Sequence, residues 1–200
     1  MFTGYVQHRV MVSVGAKYMD VTVQLTFFEE GSNHERKHID ANQDGRLSRA
    51  EIDQYLRELD PKLARLVTLR IGGRPVVLTP LRATELDLLG QERVVRGHHR
   101  LTLYYFASTP EQLASNTELM VEDRLWPDSR ALGSIQVEGK DGCRLEALAL
   151  ADPVFTPARD GESRSFQARI LSSPASEEAK LVRDPKKPQK LQGNSRTNHE

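Results

Sequence analysis

The chain has 200 residues, with 28 Lys plus Arg against 28 Asp plus Glu, so its formal net charge is zero. That length suits one sizeable domain and not two full ones, and the charge balance removes any bulk electrostatic case for nucleic acid, an anionic membrane or a strongly charged substrate. The single cysteine, Cys143, excludes an internal disulfide framework and a cysteine metal cluster, and reads as a small buried thiol.

No apolar run reaches the roughly 18 residues of a membrane span, and residues 1–20 lack the continuous apolar core of a secretory signal, so the chain is expected to be soluble. Its first elements read as strands. Residues 5–14 and 21–28 are rich in β-branched and aromatic types, and in the second run Val21, Val23, Leu25 and Phe27 alternate with Thr22, Gln24 and Thr26. A period of two sends one set to a core and the other to water, with a turn at 15–20 between the strands. Residues 29–39 carry no apolar stripe. Of the positions where a helix entering a calcium loop places apolar residues, only one is apolar, Ile39; the others hold Arg36, Glu35 and Ser32. A short, polar, irregular helix over 33–38 is expected.

Residues 40–51 read Asp-Ala-Asn-Gln-Asp-Gly-Arg-Leu-Ser-Arg-Ala-Glu. Each type has a mechanical task in wrapping a loop around a hard cation that takes about six to eight oxygens. Asp40, Asn42 and Asp44 offer side-chain oxygens at positions one, three and five, and Gly45 at six permits the sharp turn. Arg46 lends its backbone carbonyl and Leu47 anchors the loop to a neighbour. Ser48 ligates directly or through water, and Glu51 closes the shell with both carboxylate oxygens. The pattern resembles an EF-hand loop at every diagnostic position, and the cofactor it implies is Ca²⁺. Ser48 and Glu51 also form a Ser-x-x-Glu capping box that needs no metal. Capping alone has no use for the oxygen-bearing residues at one, three and five, so calcium is the stronger reading.

Ile52, Tyr55, Leu56 and Leu59 then follow an i, i+3, i+4, i+7 stripe, which predicts an exiting helix with one face on a core and an end at Pro61. Nothing later repeats the calcium pattern, so the loop is expected to lean on the β-domain in place of a sister motif. Strands resume at 66–71, and Gly72-Gly73 suits a tight hairpin turn before 75–81. Further strands are expected at 84–89, 99–107, 118–123, 132–138, 144–150 and 165–171, with turn residues such as Lys140-Asp141-Gly142 between them. Many short strands at this spacing predict a mainly β fold, an immunoglobulin-like antiparallel sandwich over 1–171, with the helix-loop-helix inserted at 29–60. After Leu171 large apolar residues all but vanish, so 172–200 are expected to be a disordered polar tail.

Other candidate chemistry is thinner. His98 and His99 point to opposite faces of a strand and read as surface or turn-flanking residues. His34 and His38 can share a helical face but have no evident third ligand, and a solvated polar turn explains them. Glu122, Asp123 and Asp128 around Trp126 have the composition of a sugar-binding or hydrolase cleft. No nucleophile elbow, phosphate loop or zinc-protease helix is present.

The order of elements over 20–81 is similar to the extracytoplasmic N-terminal domain of nickel and cobalt type membrane transporters. The landmarks are Ile39 to Gly45, Ile-Asp-Ala-Asn-Gln-Asp-Gly, and Arg70 to Val76, Arg-Ile-Gly-Gly-Arg-Pro-Val. This resemblance implies a β-sandwich with an EF-hand-like insert, outside the cytoplasm. The function expected is a calcium-binding module with an unidentified protein partner, not an enzyme. The alternatives are a hydrolase or carbohydrate-binding accessory domain using the Trp126 region, and a structural domain whose loop is vestigial.

Overall fold

Two-residue alternation builds β1 (Val6–Val14) and β2 (Tyr18–Phe28), which pair antiparallel from Val6 opposite Phe27 to Val14 opposite Met19. Met19, Val21, Val23, Leu25 and Phe27 all point inward. Each such burial contributes about 1.5–3 kcal/mol, so slipping β2 by one residue would forfeit roughly 7–15 kcal/mol, and the register is strongly specified. The turn between the strands is tighter than expected, closing where Gly15 N–H donates to the Tyr18 carbonyl.

The computed structural model describes residues 6–109, 116–125, 131–148, 156–157 and 164–172. Within them the chain is mainly β. After β2 come two helices, α1 (Glu29–Ile39) and α2 (Arg49–Leu63). The strands that follow are β3 (Val67–Ile71), β4 (Arg74–Val76), β5 (Thr79–Asp87), β6 (Gly97–Ser108), β7 (Thr117–Asp123), β8 (Ala131–Gly139), β9 (Arg144–Ala147), β10 (Thr156–Pro157) and β11 (Arg164–Ser172). One sheet has the order β10-β8-β1-β2-β6-β5 and the other β4-β3-β7-β11-β9. Their inner faces share one apolar cluster, to which β1, β2 and β6 contribute from the first sheet and β3, β7 and β11 from the second. This is consistent with a β-sandwich. The strand expected at 144–150 ends at Ala147, Leu148 lies beyond it, and 149–150 are outside the described residues. Of the tail expected at 172–200, only Ser172 lies among the described residues, and it ends β11.

Several elements depart from expectation. β1 and β8 pair in parallel, from Val6 opposite Ala131 to Val14 opposite Gly139, so the fold is not purely antiparallel. The run expected at 75–81 divides: β4 stays against β3, and the chain then crosses to the other sheet, where β5 lies against β6. Pro75 and Pro80 are tolerated because both strands are sheet edges, where a missing N–H costs no ladder bond. The hairpin turn is as expected, with φ of +55° at Gly72 and +77° at Gly73. Pro61 does not end α2. It lies in the last turn and is exposed, so the carbonyl its missing N–H frees is open to hydration. The stripe Ile52, Tyr55, Leu56 and Leu59 is half-buried, and Leu63 is the one fully buried residue of α2.

The entering helix was expected to be short and irregular, yet α1 runs for 11 residues. Its buried face consists of Ser32, Arg36 and Ile39. Two of those three are polar, so hydrophobic periodicity cannot detect the face. Hydrogen bonds from Ser32 and Arg36, with the burial of Ile39, hold it down.

Candidate metal centre

The loop between α1 and α2 winds back on its own side chains. Asp40 Oδ1 accepts from Asp44 N at 3.2 Å and Oδ2 from Gly45 N at 3.0 Å. Asn42 Oδ1 accepts from Asp44 N at 2.8 Å, and Asp44 Oδ1 from Arg46 N at 2.8 Å. Local side-chain to backbone bonds of this kind are what Asp and Asn offer in turns. Gly45, at φ +76°, supplies the left-handed corner where a side chain would be strained.

Glu51 closes the circuit. Its Oε2 accepts from Ser48 N at 2.9 Å and Ser48 Oγ at 2.7 Å, while Ser48 Oγ accepts from Glu51 N, completing the capping box of α2. Its Oε1 reaches back nine residues to accept from Asn42 N at 3.2 Å. The Ser48 side chain, then the Ser48 and Asn42 amides, draw the Glu51 pKa below the ordinary carboxylate value. Position twelve of the motif thus sits against position three. Among the described residues, however, no three His, Cys, Asp or Glu side chains converge as a metal-holding group. The donor set is all oxygen and suits a hard cation, but its carboxylates are turned toward the loop's own N–H groups.

The expected apolar anchor is in place, with Leu47 buried. Its N–H donates to the Glu92 carbonyl at 2.9 Å, Val94 N–H donates to the Gly45 carbonyl at 3.0 Å, and Arg46 and Arg93 face each other across this short antiparallel bridge. The β-domain therefore supplies a strand-like partner to the loop from the connection between β5 and β6. Two cationic side chains that flank or follow the loop in sequence, Arg36 and Arg49, are engaged elsewhere. Arg49 pairs with Asp53 at 3.0 Å, and the Arg36 guanidinium enters the protein interior.

Arg36 is the residue that sequence reasoning missed. It is fully buried, and all five of its N–H donors are used. Nε donates to Ser32 Oγ at 3.1 Å, Nη1 to the carbonyls of Gln91 and, at 3.0 Å, Arg93, and Nη2 to those of Leu88 and His98, each at 3.0 Å. Burial lowers its pKa from the ordinary value. A separate contact joins α1 to α2: Tyr55 Oη donates to Glu35 Oε1 at 2.5 Å, and burial, with Glu35 adding to it, pushes the phenol pKa up.

The remaining candidates sort by strand geometry. His98 and His99 do face opposite ways, but His99 is not a surface residue: it is buried, stacked on Phe27 with ring centroids 4.6 Å apart, and its Nδ1 lies 2.7 Å from Ser32 Oγ. His34 and His38 meet edge to face at 4.5 Å on the exposed side of α1. Glu122 and Asp123 fall on opposite faces of β7 and do not form one carboxylate pair. Glu122 pairs with Arg124 at 2.9 Å, and Asp123 is buried 2.9 Å from His8 Nδ1, with Arg164 Nη1 3.0 Å from His8 Nε2. Trp126 and Asp128 lie outside the described residues. Cys143 is buried, which raises its thiol pKa and suits a packed thiol. No described helix is long and apolar enough to cross a membrane. No protein family matches this chain, and no characterised protein matches it significantly in sequence.

Proposed function

We propose that the chain is a calcium-binding module, not an enzyme: an immunoglobulin-like sandwich carrying one EF-hand-like insert. The observation that carries this reading is the reach of Glu51 across nine residues to the Asn42 amide, which brings the last ligand position onto the start of the loop. Asp40, Asn42, Asp44, the Arg46 carbonyl, Ser48 and Glu51 would hold the ion, whose role is to tie the insert to the sandwich. The Glu51 carboxylate that caps α2 is also the bidentate ligand, so metal and capping box compete for Oε2, and metal and the Asn42 amide for Oε1. One unpaired loop with three carboxylates points to a dissociation constant on the order of 10⁻⁵ to 10⁻³ M and a preference for calcium over magnesium. A protein partner is the natural client of such a module. The half-buried stripe of α2 supports this, since Ile52 and Leu56 line an open groove of about 360 Å³ against Arg82 to Leu86.

Thermal melts of wild type and Glu51→Gln, each with chelator and with millimolar calcium, test the reading. The variant keeps a side-chain oxygen for the Ser48 amide but loses the charge and the bidentate carboxylate. At about ten times the dissociation constant, calcium should stabilise the wild type by about 1.4 kcal/mol. That corresponds to roughly 3–6 °C for a domain of this size. The variant should lose most of that gain while its metal-free melt stays close to the wild type. Equal calcium responses in the two proteins would make Glu51 a capping residue only and end the calcium reading.

A further inference from the structure

Arg36 is placed where an apolar residue would normally seat an entering helix, and its charge is met by carbonyl oxygens and one hydroxyl. Four of its five hydrogen bonds go to one short stretch, three to the connection from β5 to β6 at Leu88, Gln91 and Arg93 and one to His98 at the start of β6. That stretch turns through left-handed corners at Leu89 and Gly90, with φ of +52° and +77°, and Gln91, Glu92 and Arg93 are exposed. Its own backbone bonds are few, Gln91 N to the Leu88 carbonyl and Val95 N to the Arg93 carbonyl. A planar five-donor fork can hold four carbonyls at once; a lysine, with three donors on a point charge, cannot reproduce that geometry.

The same stretch has a second side. The Arg93 carbonyl turns inward to Arg36, while the Glu92 carbonyl and Val94 N–H turn outward to Leu47 and Gly45 of the loop. We propose that Arg36 is a positioning residue for the calcium site. By locking residues 88–98 it makes Glu92 to Val94 a fixed strand, and that strand shapes the single loop as a sister loop would. The inference rests on the calcium reading for its effect on affinity, but not for its effect on the loop's shape. Coupling is reciprocal, so calcium in the loop must also tighten residues 88–98, although none of them is a ligand.

Amide hydrogen exchange of Leu47 and Val94 in the full chain, with chelator and with millimolar calcium, tests both parts, alongside calorimetric calcium titration. In the wild type both amides should be protected in chelator and slowed at least about tenfold further by calcium. In Arg36→Lys, Leu47 should lose at least about tenfold of its chelator protection while Val23, in the sheet core, keeps its own. Val94→Pro deletes the N–H that reaches Gly45 and leaves Arg36 untouched, so it carries the decision if Arg36→Lys does not fold. Its calcium dissociation constant should rise at least about fivefold. Unchanged Leu47 exchange in a folded Arg36→Lys would overturn the positioning role. An unchanged calcium constant in Val94→Pro would overturn its effect on affinity. A wild type that binds no calcium would remove the affinity claim together with the calcium reading, and the chelator exchange alone would then uphold or overturn the shaping of the loop.

Discussion

Acidification from about pH 7.5 to about pH 5 should weaken this fold through one ring, His99 on β6. The ring is fully buried and lies flat on Phe27, 15° from parallel, and it meets Ser32 Oγ at Nδ1. Arg36 Nε donates to that same hydroxyl, so the ring and the guanidinium share one oxygen. Burial, reinforced by the positive charge of Arg36, pushes the His99 pKa from 6.5 down to about 3. The unfolded chain restores the ordinary value. Between these two values the unfolded state binds the extra proton, so the contribution is fully present above pH 6.5 and is lost progressively as pH falls toward 3. The slope is about 1.4 kcal/mol per pH unit within that window, which amounts to about 2 kcal/mol by pH 5. Urea melts of wild type and His99→Asn across this range provide the assay, because Asn retains an acceptor toward Ser32 but takes up no proton. Groups common to both proteins cancel in the difference, which should shrink by about 2 kcal/mol on the acid side. Stability curves that stay parallel would refute the argument.

Arg36→Met removes the partner of four carbonyls and a hydroxyl at once; with partial rehydration of the exposed stretch, urea denaturation should show a loss of about 3–5 kcal/mol. Arg49→Ala, which breaks an exposed pair with Asp53, should cost less than about 1 kcal/mol, and an Arg36→Met loss as small as that would count against the buried hub. Gly139→Ala would drive a Cβ into the backbone carbonyl of Cys143, which cannot swing aside as a side chain can, and should destabilise by about 1–3 kcal/mol. Gly97→Ala meets open space without a positive φ and should be neutral or stabilising by up to about 1 kcal/mol; similar melts for the two would show that the turn from Lys140 to Cys143 gives way to the added Cβ.

The strands and the loop pattern were legible along the chain because their signals are local. Val21 to Phe27 declare their inward face by alternation alone, and the observed register sets that face level with the inward faces of β1 and β6. Gly72-Gly73 announced a turn with positive φ, and Ser48 with Glu51 announced a helix start, from residue types a few positions apart. The six candidate ligands, Asp40 to Glu51, were likewise named by spacing.

Tertiary structure alone decided the rest. That β1 lies parallel to β8, and that the chain leaves β4 to reach the opposite sheet, depend on pairings between distant segments, for which no short window holds a signal. The burial of Arg36 was invisible for a sharper reason. A guanidinium in an interior is tolerable when every donor finds an acceptor, and here four of the acceptors are main-chain carbonyls 52 to 62 residues away. Every residue carries a carbonyl, so nothing in the side chains of Leu88, Gln91, Arg93 or His98 marks them as its partners. Only the path of the backbone brings them together.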